Sequence, residues 1–219
     1  MSLRTTAAIL AILVCPDAAP FSQASADEPR RPSTLSQADC YAALDRAGID
    51  YERPETSGVA FPVRLRGPVG GVEIQFEGRR AQHRIMDCRL VVALSRWAPR
   101  LREAGVARIR HLSAYRARAR HRRTGRPSGH ASGLAIDLRF FDGEGSFDVL
   151  EHWQPRTRGA APCERPDAED ERSRKIRELV CEAIDQDLFQ VVVTPHHDDA
   201  HANHVHVEVV PGVPWTWVR

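Results

Sequence analysis

Hydrophobic positions recur along this chain with two different periods, and the change from one to the other marks out its elements. Leu90, Val91, Leu94, Trp97 and Leu101 fall on one helical face, so a helix is expected from a cap at Asp87 to a stop at Gly105, with Pro99 as a kink point. Ile176, Leu179, Val180, Ala183, Ile184 and Leu188 repeat at the same spacing and predict a second helix over 171–188. A shorter helix is expected over 39–47, closed by Gly48. Period-two alternation predicts strands over 59–65, 72–76, 106–114, 134–140, 189–194 and 204–210. Gly67-Pro-Val-Gly-Gly71 reads as a turn joining the first two. The stretch 142–170 is rich in Gly, Pro and charge and reads as a long surface excursion, a kind of segment that often carries function. Within it, Trp153 either packs the loop down or lines a groove. Helices and strands mix without regular alternation and no repeat is visible, which indicates a single α+β domain.

The alternation also sorts chemistry from core. Ile136 and Leu138 would face one side of their strand, and Ala135 and Asp137 the other. In the run 204–209 the valines would enter the core and leave His204, His206 and Glu208 opposite. If these strands are neighbours, Asp137 and His206 project from one surface. Gly129 and Gly133 bracket His130 and suggest a tight turn feeding the first strand. Zinc takes imidazole and carboxylate ligands, and a catalytic zinc keeps about three from the protein. His130 and Asp137 with one or more of His201, His204 and His206 meet that need. Ten histidines bring some together by accident, but two independent segments are harder to explain that way.

Charge changes the picture little, because the net value is only +2. Eight arginines nevertheless fall between Arg108 and Arg126. A solvated loop, a nucleic-acid surface and attraction to an anionic cell-wall polymer all accommodate them. Export argues against nucleic acid, and the N-terminus resembles a secretory signal: Arg4, an apolar run over 7–14, and Ala24-Ser-Ala26 before Asp27. We therefore expect a signal peptide over 1–26, a linker over 27–38 and one domain over 39–219, located in the periplasm or cell envelope without membrane insertion. Lipidation at Cys15 is the less favoured alternative, since Val14 is bulky. Four cysteines would remain after cleavage. They allow three pairings, and sequence alone does not choose. The preferred one joins Cys163 to Cys181, tying a polar loop to the following helix, and Cys40 to Cys88, linking two early helices. Four free thiols on a second zinc compete with this, although no Cys-x-x-Cys is present.

Three elements in order carry a family resemblance. Ser128-x-His130-x-x-Gly133-x-Ala135-x-Asp137 resembles the first metal motif of the zinc D-alanyl-D-alanine peptidases, and His204-x-His206 resembles their second. Ser113-Ala-Tyr-Arg116 is similar to the Ser-x-Tyr-Arg element upstream of that motif. From about Cys40 onward the chain looks like the bacterial extensin-like proteins, which are related to those peptidases and to the hedgehog domain. His201-x-x-His204-x-His206 also resembles the histidine-rich strand of the penicillin-insensitive murein endopeptidases. The resemblance implies a central antiparallel sheet flanked by helices, with zinc held on one face by His130, Asp137 and His206. It implies a zinc peptidase acting on peptidoglycan peptides, with His204 as base supported by His201, and Arg116, Tyr115 and Ser128 contacting substrate. Arg116 would grip a carboxylate or stabilise the oxyanion. One departure stands out: Asn203 occupies the slot where the D-alanyl-D-alanine peptidases carry a catalytic Glu. Asp198, Asp199 and Glu208 are nearby carboxylates, and a non-catalytic zinc-containing binding module is the alternative.

Overall fold

The computed structural model describes residues 31–166 and 168–219, so the expected signal segment, Cys15 and most of the expected linker lie outside the described residues. Ser36 opens helix α1 (Gln37–Arg46), its hydroxyl accepting from the Asp39 amide. Strands β1 (Tyr51–Glu52), β2 (Pro62–Leu65), β3 (Glu73–Phe76) and β4 (Ile85–Asp87) precede helix α2 (Cys88–Glu103). Asp87 caps α2 as its sequence position predicts, and α2 continues through Pro99. Strand β5 (Val106–His111) leads by an irregular loop to β6 (Ala135–Gly143), then β7 (Phe147–Asp148) and the one-turn helix α3 (Val149–His152). Helix α4 (Glu171–Asp185), β8 (Val191–Val193), β9 (Val205–Glu208) and β10 (Trp217–Val218) complete the chain.

These strands form two sheets in one mixed α/β domain. The larger runs β10-β8-β9-β6-β5-β3, with β7 also on β6, and the smaller β1-β2-β4. The four central strands of the large sheet are antiparallel, while β3 and β10 run parallel to their neighbours at the two edges. The expected turn between β2 and β3 is present, with Gly70 and Gly71 both at positive φ and Val69 and Val72 exchanging backbone hydrogen bonds. The two strands beyond it do not form a hairpin. The backbone groups of β2 are taken by β1 and β4, and β3 reaches β5 only after the chain has crossed through β4 and α2.

Helices α2 and α4 cover one face of the large sheet. Ile136, Leu138, Val192, Val205 and Val207 point into that core with Leu90, Leu94, Leu101, Ile176 and Leu179. Trp97 is fully buried there; its indole donates to the Leu179 carbonyl at 3.1 Å and meets Phe141 and Phe189 edge-on. Disulfides join Cys40 to Cys88 and Cys163 to Cys181, the preferred pairing, which leaves none of the four free for zinc. The excursion over 142–170 is pinned rather than loose. Trp153 is completely buried and donates to His196, and Arg177 of α4 joins buried Glu169 at 2.7 Å and lies over the Trp153 ring.

Candidate metal centre

The face of the large sheet opposite the helices carries the chemistry. Asp137 of β6 and His206 of β9 are register partners, so both side chains leave the sheet on one side. His130 reaches the same point from a 3-10 turn, Gly129–Ser132, that Ser128 caps and Gly133 closes at φ +66°. A Cβ at Gly133 would also crowd the Asp87 amide at 3.1 Å. Buried His130, Asp137 and His206 each direct one ligand atom inward. His130 Nε2 lies 3.0 Å from Asp137 Oδ1 and 3.2 Å from His206 Nδ1, and His206 Nδ1 lies 3.0 Å from Asp137 Oδ1.

The remaining atoms of these side chains are already engaged. His130 Nδ1 is 2.7 Å from the Ala114 carbonyl, and His206 Nε2 is 3.3 Å from Glu208 Oε2. Ser113 donates to Asp137 Oδ2 at 2.7 Å. With a proton on each outer nitrogen, both inner nitrogens present lone pairs, and so does Asp137 Oδ1. Three acceptors then converge with no donor among them, an arrangement that a cation satisfies. Ligand atoms of a tetrahedral zinc, with bonds of about 2.0–2.1 Å, stand about 3.3–3.4 Å apart, close to the separations seen. The outer partners are of the type that orient metal-binding imidazoles.

Electrostatics follow from burial and this convergence. Burial opposes charge on His206, but the Asp137 and Glu208 carboxylates outweigh it and raise its pKa to about 9 in the metal-free chain. Burial works to raise Asp137, yet His130 and His206 hold it well below the usual carboxylate range. His204, with its Nε2 3.4 Å from Asp137 Oδ1, is pushed down to about 4 by burial. It is neutral at pH 7.

The other residues singled out in the sequence divide into two groups. His201 joins the centre: its ring lies 5.1 Å from that of His204 and 6.2 Å from that of His206. Asp198 accepts from the His201 amide and stands 2.6 Å from its Nδ1. Asn203 Oδ1 is 2.8 Å from His204 Nδ1. Asp199 instead pairs with Arg158 at an exposed site. Tyr115 is buried against Val59 and Ile85, and Ser128 is the buried cap of the His130 turn. Arg116 is exposed, its amide donating to the His130 carbonyl. Of the arginine cluster, Arg108 and Arg110 are tied to Glu73, Glu77 and Asp142 along the sheet. Ser113 had no role of its own in the sequence, although it lies within the motif that contains Arg116; Asn203 stood out there as the occupant of the Glu slot, and Asp198 as one of the carboxylates near it.

A family model described as extensin-like protein C-terminus matches residues 38–216. The chain belongs to this family. That match spans both disulfides, every residue of the centre and every strand except β10. Searches of curated proteins and of solved structures return no match. No helix among the described residues is long and apolar enough to cross a membrane, and two disulfides are what an oxidising compartment permits.

Proposed function

We propose that this extensin-like domain is an exported zinc-dependent peptidase that hydrolyses peptide bonds in peptidoglycan, acting as a murein endopeptidase. The observation that carries the reading is the convergence of three acceptors, His130 Nε2, Asp137 Oδ1 and His206 Nδ1, beside two further histidines. Zinc held there would supply Lewis acidity, lowering the pKa of a coordinated water toward about 7 and polarising a scissile carbonyl.

The chain's own residues would then move the proton and position the peptide. Asp198 Oδ1 stands 2.6 Å from His201 Nδ1 and would orient the ring with Nε2 directed away from it, the arrangement by which a carboxylate orients a catalytic imidazole. His201 is also partly exposed and therefore reachable. His204 stays neutral, with Asn203 occupying its Nδ1, and its low pKa makes it the weaker proton acceptor. The base thus shifts toward His201, with His204 lining the reacting position. Arg116, exposed beside the His130 turn, supports a role in gripping a substrate carboxylate.

A second reading has one observation in its favour. Asn203 stands in the Glu slot of the peptidases this chain resembles, as a zinc-containing module without turnover would allow. Mass spectrometry of muropeptides separates the two. Sacculi incubated with the zinc-loaded protein should yield cleaved cross-links, and His206→Ala should yield none. Intact muropeptides with zinc-saturated wild type would sink the peptidase reading.

A further inference from the structure

The face that holds the candidate centre extends to the edge of the sheet. Register pairs Trp217 with Val191, and Val191 with Glu208, and residues paired across a sheet point to one side. Trp217 therefore shares the face of Asp137 and His206. It stands two strands from β9, roughly 10 Å at about 4.8 Å per strand. A row of rings spans the gap, with centroid separations of 6.2 Å from His206 to His201, 5.7 Å from His201 to His197 and 5.8 Å from His197 to Trp217. The row ends in solvent. Trp217 is 37% exposed and Trp215 50%, and the Arg219 guanidinium lies over the Trp217 ring, 5.2 Å from its centroid, leaving the rest of the indole to solvent.

What sets this indole apart is its position: it is the solvent end of a row of rings that starts at His206. Leu150, Trp215 and Trp217 are the exposed large hydrophobics among the described residues. That is too little apolar surface for a stable protein interface, in which each partner buries about 800 Å². It suits a ligand one ring wide. A pyranose offers C–H groups to the electron-rich face of an indole and hydroxyls around its rim, and His197 and Arg219 supply polar partners for that rim.

We propose that Trp217, with His197 and Arg219, forms a pyranose-stacking subsite for a sugar of the glycan strand. This rests on the peptidoglycan reading of the metal centre and deepens it: the substrate is a peptide still attached to its glycan. Trp217 lies on the rung of Glu208, two residues along β9 from His206, so the span is roughly 12 Å, the reach of about four extended residues, and a short stem joins a sugar on Trp217 to a bond at His206.

The test uses the full zinc-loaded chain and glycan strands stripped of their peptides, with binding followed by calorimetry. Wild type should bind these strands, Trp217→Ala should weaken binding by roughly tenfold, the upper range for one aromatic contact, and Trp217→Phe should recover most of it. Zinc content and melting temperature check that each variant is folded. His197→Ala, a smaller change at the middle of the row, should also weaken binding. The subsite is overturned if wild type fails to bind the stripped strands, or if Trp217→Ala binds them as well as wild type does. Sacculi left uncut while Trp217→Ala still loses glycan would sink the peptidase reading and leave the subsite standing. Sacculi cut by a protein that ignores stripped glycan would do the reverse.

Discussion

Proton bookkeeping at single side chains makes the metal centre testable without any substrate. In the metal-free chain His206 carries a proton up to about pH 9, and a metal ligand must give that proton up. Zinc uptake at pH 7 should therefore release about one proton, measured by calorimetry in buffers of different ionisation enthalpy. Zinc uptake with no proton release would mean that His206 is already neutral at pH 7. Ser113→Ala and Glu208→Gln leave all three ligands in place but free Asp137 and His206 to reorient, and each should weaken zinc affinity about 10- to 100-fold. His111 gives a separate readout. It is buried with Nδ1 unpartnered, and burial lowers its pKa to about 4. Between about pH 6.5 and 4 the unfolded chain takes up this proton and the folded chain does not. The contribution is thus present above pH 6.5 and lost as pH falls, by at most about 3 kcal/mol. Urea titrations across this range should show a flatter acid slope for His111→Gln. Asp137 and His206 were legible in the sequence because strand alternation puts them opposite the core residues. Ser113 was not, because its partner lies 24 positions away and only tertiary structure brings the two together.

Among the elements, α4 and the excursion before it depend on each other. The Cys163–Cys181 disulfide and the buried Arg177–Glu169 pair both tie α4 to the segment that Trp153 anchors. Replacing both cysteines with serine should cost about 3 kcal/mol, the scale expected for a closed loop of this length. Removing Glu169 as Glu169→Ala leaves Arg177 buried and short of its charge partner, a loss of roughly 3–5 kcal/mol. Hydrogen exchange should quicken over residues 153–170 in both variants and stay slow in β6 and β9. Quickening in β6 and β9 as well would mean that the excursion supports the centre. Both long helices were legible from their apolar spacing, and α2 also from its Asp87 cap. The partners of β2 and β3 were not, since a Gly-Gly turn between two alternating runs carries the same signal whether the strands pair with each other or separate into two sheets.

At the scale of the molecule, the core lies on the helix side of the large sheet and His130, Asp137 and His206 on the other, so a metal held there would be largely separate from the fold. Two disulfides and a core containing Trp97, Phe141 and Phe189 would hold the domain without zinc. Chelation should abolish cleavage of sacculi while far-ultraviolet circular dichroism retains its folded form. Collapse of that signal on chelation would instead favour the structural-zinc module. The α+β class and the central antiparallel strands were legible, the parallel edge strands were not, because short β10 has no periodic signal over two residues. The opposition of Asp137 and His206 at one rung of the β6–β9 ladder also limits how such a chain can change in length. A residue added or lost inside either strand would send Val205 or Val207 toward the ligands and a histidine toward the helices. Insertions and deletions are better tolerated in the connections, such as the exposed loop over 117–126, the turn over 144–146 and the segment over 194–203, and the last of these carries His197 and His201. Variation in that loop would change what reaches the centre while leaving the ladder, and with it Asp137 and His206, in place.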